Sequence, residues 1–165
     1  MEIVLAIIGI VLVALALLCC IRPYVPAAIL AYAAMWMMQW SGLLEFPTVM
    51  LSYWGAMVVV VALLASMQSQ ALSKATQGMA HITIGAAAGM LAGMTVGYAP
   101  MIVGAFLGAF AGTVLFARSP KGRGLGMLTS RFLQYFGAKG LPVVIAMCLV
   151  GIIIEVAVVQ HAGNV

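Results

Sequence analysis

Between Lys74 and Arg118 the sequence carries no charged residue. One helix needs about 20 residues to cross the ~30 Å hydrocarbon core of a bilayer, so a chain that puts this interval in lipid must cross, turn and cross back. A water-soluble fold would need a large polar shell to cover it. With 66% hydrophobic and 6% charged residues over 165 positions, the rest of the chain does not supply that shell. Lipid is the solvent this composition suits.

An ionised side chain in hydrocarbon is costly, so the charges mark where spans end. Glu2 and Arg22 enclose a span at 3–21, Arg22 and Glu45 one at 27–40, and Glu45 and Lys74 one at 49–65. Inside the long uncharged interval the strong breaker is Tyr98-Ala99-Pro100, because proline disfavours helix in the residue before it. Spans at 82–97 and 101–117 follow, and a last one at 141–159. The expected fold is therefore all-α, a single domain with six transmembrane helices. The second span is short, since ~14 residues cover only about 21 Å. Arg22-Pro23-Tyr24-Val25-Pro26 reads as the turn between the first two spans, its alternative being a break that lines a cavity.

Six spans put Arg22, Lys74, Arg118, Lys121, Arg123, Arg131 and Lys139 on one face, and Glu2 and Glu45 on the other. By the positive-inside rule the basic face is cytoplasmic and both termini lie outside. Trp36, Trp40 and Trp54 flank the Glu45 loop, as an aromatic belt at the outer interface does. Leu125, Leu128, Phe132 and Phe136 recur at helical spacing and predict an interfacial helix over 125–137 on the cytoplasmic surface. Its alternative is an extension of the last span. Before it, Ser119-Pro120-Lys121-Gly122-Arg123-Gly124 is a basic stretch able to meet anionic lipid head groups. The formal charge of +4 is explained by this bias rather than by nucleic acid, for which no aromatic-basic face is present. Met1-Glu2 lacks the basic start of a secretory signal, so the first segment is expected to stay.

Gly85, Gly89, Gly93 and Gly97 repeat every four residues, and Gly104, Gly108 and Gly112 do so again after the break. A step of four drifts only about 40° around a helix, so each set makes a stripe without side chains. Two backbones can then touch, and in lipid such contact replaces the hydrophobic drive between helices. The ladders predict a tightly packed hairpin of the fourth and fifth helices. Homo-oligomerisation through the same stripe, or a sliding interface, are the alternatives.

The chain resembles the glycine-zipper bacterial membrane proteins grouped as domain of unknown function four-five-six. The resemblance rests on a first helix followed by a two-proline turn, here Pro23 and Pro26, and on "GAAAGMLAGMTVG" followed by "PMIVGAFLGAFAG". It implies an integral protein of the bacterial inner membrane without implying an activity. Such proteins usually carry an acid just after the last ladder glycine, where this sequence has Thr113.

The supply of ionisable groups is small. Glu155 is the one acid inside an apolar segment and serves either as an interface anchor or as a proton-carrying carboxylate. The topology separates His81 from His161 by the bilayer, so they cannot share a metal, and no nucleophile stands beside a base. No enzyme activity, metal or cofactor is expected. Cys19, Cys20 and Cys148 have neither metal nor redox spacing and read as small buried residues. Spans one to three and four to six each show a helix, a proline turn, a short helix, a loop and a final helix, which suggests a 3+3 inverted repeat. On that basis a small transporter or permease is the leading expectation, with Pro26 and Pro100 flanking its path. A non-catalytic scaffold that binds lipid or a partner is the alternative.

Overall fold

Every residue from Val143 to Ile153 is buried. A helix apolar and buried on all its faces belongs at the centre of a bundle, and the rest of the chain is arranged around this one. The structure, a computed structural model, describes residues 2–21, 27–42, 44–66, 78–121 and 130–162. Arg22, Pro23, Pro26, Lys74, Arg123, Leu125 and Leu128 lie outside the described residues.

All the regular structure among the described residues is helical. The elements are α1 (Glu2–Ile21), α2 (Ala27–Trp40), α3 (Thr48–Ser66), α4 (Met79–Met94), α5 (Tyr98–Arg118), α6 (Ser130–Tyr135), a π-helical turn (Phe136–Gly140) and α7 (Leu141–Ala162). Three helices are long and apolar enough to cross a membrane: Ile3–Ile21, Tyr98–Arg118 and the continuous run Ser130–Gln160. Thr48–Leu64 and Met79–Met94 are apolar but shorter.

Helix α7 packs against each of α1 to α5. Helix α1 sits at the edge. It turns Gly9, Ala16 and Cys20 inward, while Ile3, Val4, Ile7, Ile10 and Leu18 are exposed. An apolar face open to the surroundings is what lipid contact requires. The α2 face that meets the bundle is built from Ala27, Ala28, Ala31, Ala34, Met35 and Met38; the four alanines are small residues that let helices approach where lipid gives no hydrophobic drive.

The α4–α5 connection differs from the sequence expectation in two ways. Pro100 does not precede the helix but sits in the first turn of α5, which begins at Tyr98. Its missing N–H costs nothing there, because first-turn amides have no partner inside the helix. The chain reverses instead at Thr95–Gly97. Gly97 has φ +145° and open space where a Cβ would stand, so it serves the turn rather than the helix interface.

For the segment read as an interfacial helix over 125–137 or as an extension of the last span, the described part takes the second form. That part, α6 and the π-helical turn, runs without interruption into α7 as one helical rod. Phe132 and Phe136 are buried against Phe110 of α5, with ring centroids 5.5 Å away in both cases. Proline explains the wide turn. Pro142 has no N–H for an ordinary helical bond and would crowd the carbonyl four residues back. The Leu141 amide bonds five residues back, to the Phe136 carbonyl, and the turn widens.

Candidate functional site

Two glycine stripes meet where α4 and α5 pass. A Cβ built on Gly85 or Gly89 would collide with the carbonyl oxygens of Gly108 and Gly104, and one built on Gly104 or Gly108 with those of Gly89 and Gly85. Gly93 lies against the Pro100 carbonyl, and Gly112 against that of His81. The structure thus brings six of the seven ladder glycines together within one chain and sets Gly97 apart. Thr113 follows the last of them and is fully buried, with its hydroxyl donating to the Ala109 carbonyl at 2.8 Å. That bond stays within one helix, so the Thr113 proton is already used.

Polar side chains gather at the two ends of the bundle. At one end the Trp54 indole N–H donates to the Tyr98 hydroxyl at 3.0 Å, and the Gln160 amide donates to the Glu45 carbonyl at 3.3 Å. Glu155, half-buried on α7, is within electrostatic range of the Tyr98 phenol. Trp36 and Trp40 are in edge contact at 5.7 Å. Trp54 and Tyr98 are 44 positions apart, and no local pattern marks them as a pair.

At the other end α1, α4 and α5 finish around a cavity of about 490 Å³ lined by Ile21, Gly78, Ala80, His81, Phe116, Ser119, Pro120 and Lys121. The His81 ring is 5.9 Å from that of Phe116, which stacks in turn on Tyr135 at 5.8 Å. Nearby in the chain, the Thr83 hydroxyl donates to the Cys20 carbonyl at 2.9 Å, tying α4 to α1. Sequence reasoning singled out His81 but not the aromatic and aliphatic wall, because Ile21 and Phe116 look like ordinary span residues until the helix ends are assembled.

Lys139 is the one charged residue among the buried described ones, 6% exposed in the π-helical turn. Sequence reading places it on the basic face, in the connection before the last span. The wide turn is what carries it inward, and Pro142 three positions later was the available signal. Among the described residues no three His, Cys, Asp or Glu side chains gather where a metal could be held.

These features define a class, an all-helical protein with three helices suited to crossing a membrane. Compared with protein-family models, with curated proteins and with solved structures, the chain matches none.

Proposed function

We propose that this is a multi-pass membrane protein that holds lipid or a partner rather than conducting a solute. The observation that carries the reading is how the interior is filled. Among the described residues no buried side-chain nitrogen or oxygen lacks a hydrogen-bond partner. The buried hydroxyls of Ser41, Thr83 and Thr113 all donate to carbonyls of their own chain. A solute path needs polar groups left free to exchange partners with water and cargo, and α7 instead fills the centre with aliphatic side chains.

This reading includes six crossings in the bacterial inner membrane, the basic face in the cytoplasm, both termini outside, and kinship with the glycine-zipper family named above. The grouping of helix ends supports it. Ile21, His81 and Lys121 line one cavity, while Glu45 and Gln160 bond to each other and Trp54 bonds to Tyr98. In a background with the native cysteines replaced by alanine, Lys121→Cys is expected to react with an impermeant maleimide only from the cytoplasm. Glu45→Cys should react only from outside. Labelling of both from the same side would remove the six-crossing topology. Self-association through the glycine ladders would require the hairpin to open, so any second copy must use another face.

Purified protein in proteoliposomes is expected to leave passive leak of small ions and sugars unchanged. A saturable flux well above that of protein-free vesicles would overturn the proposal. Transport remains the second reading because of Lys139, since an ammonium folded into a bundle is expensive and usually functional. On that reading Lys139→Met would abolish the flux.

A further inference from the structure

We propose that the cavity between the ends of α1, α4 and α5 is a binding site for the headgroup of an anionic phospholipid. This rests on the lipid- or partner-holding reading above and gives it a ligand. Three observations converge. The cavity, at about 490 Å³, falls within the roughly 300–1,000 Å³ typical of small-molecule sites. Its lining is divided by chemistry, with Ile21, Phe116 and Pro120 forming an apolar wall beside Lys121 and His81. It also lies at the tips of α1 and α5, two of the helices long enough to cross a membrane, which is the depth of lipid headgroups and first acyl carbons.

A phosphodiester fits the polar half. Lys121 provides a full positive charge and His81 a ring nitrogen, and a charge-assisted hydrogen bond to phosphate is stronger than a neutral one. Among the described residues no acidic side chain lines the cavity, so none of them repels the anion. The apolar half selects the source. Inorganic phosphate would leave Ile21, which is 50% exposed, facing water, whereas the glycerol and first methylenes of a phospholipid cover it. Lys121 is exposed, so the site opens toward the headgroup layer from which a lipid would enter.

The test uses the full chain in detergent, titrated with dioleoylphosphatidylglycerol and followed by native mass spectrometry, with dioleoylphosphatidylcholine as the zwitterionic comparison. Lys121→Met is expected to weaken phosphatidylglycerol binding about tenfold, and Lys121→Arg to restore most of it. Ala80→Phe, which fills the cavity from its rim without altering charge, should weaken binding to a similar degree. Arg118→Met is the control, because Arg118 belongs to the same helix end but does not line the cavity, and it should change binding less than twofold. Each variant is first shown to melt as the wild type does. Equal losses from Arg118→Met and Lys121→Met would reduce the effect to general surface charge and overturn the site. Full competition by millimolar inorganic phosphate would overturn the lipid assignment in favour of free phosphate. Solute flux together with a Lys121-dependent lipid would keep the site and remove the non-conducting reading, while loss of the site without flux would do the reverse.

Discussion

Gly89→Ala is expected to destabilise the protein by about 3 kcal/mol, near the top of the range for overpacking a close contact. The added Cβ would meet the Gly104 carbonyl oxygen and come within 2.8 Å of its carbon. Both belong to backbone, so relief requires two helices to separate along their whole contact. Helices held by dispersion and weak Cα–H bonds lose those terms steeply with distance. Gly89→Leu and Gly108→Leu should prevent the hairpin from forming. Gly151→Ala makes the comparison informative, because the nearest atoms its Cβ would meet are side-chain ones, the Met101 and Met90 sulfurs at 2.7 and 2.9 Å and the Met90 Cγ at 3.3 Å. Thioethers swing aside easily, and the loss should stay under about 1.5 kcal/mol. Unfolding midpoints in mixed detergent and sodium dodecyl sulfate would measure both. If the two substitutions were equally mild, the backbones of α4 and α5 would not be in contact at Gly89.

The same comparison shows what the sequence discloses and what it does not. Helix α2 at Ala27–Trp40 occupies the interval expected for it. Period-four glycines also disclosed that α4 and α5 approach closely. Periodicity could not separate Gly93 from Gly97, however. Both keep the spacing, yet one packs against Pro100 and the other turns the chain at φ +145°. Nor could a breaker rule place Pro100, since proline is as suited to the first turn of a helix as to the loop before it.

The least legible features were those made by two distant segments. Phe132 and Phe136 have the spacing of an amphipathic surface helix, and the same spacing serves a helix packed on the phenylalanines of α5. In an apolar chain the side chains do not announce whether they will meet lipid or protein. Lys139 misleads for a related reason. A lysine beside glycines reads as a loop, and only the wide turn imposed by Pro142 carries it into the bundle. The cavity was the hardest to foresee, because each of its walls belongs to a different helix end.

Thr113 separates the packing role of the hairpin from any chemical one. Thr113→Val should change stability by less than about 1 kcal/mol, because the hydroxyl bonds only to the Ala109 carbonyl of its own helix and a methyl group of the same size takes its place. Thr113→Asp, which introduces the acid that the family resemblance implies at this position, is expected to be among the most damaging single changes. The position is 0% exposed, and an ion buried without a partner costs several kcal/mol. Protonation would lower that cost and still leave a carboxyl to be satisfied beside the glycine contacts. The unfolding midpoint should therefore fall sharply for Asp and hardly move for Val. An Asp variant as stable as the wild type would mean that water or a cation reaches the His81 end of the hairpin, where Gly112 meets the start of α4. The interior would then not be sealed there, and conduction past Thr113 would become the better account of the protein.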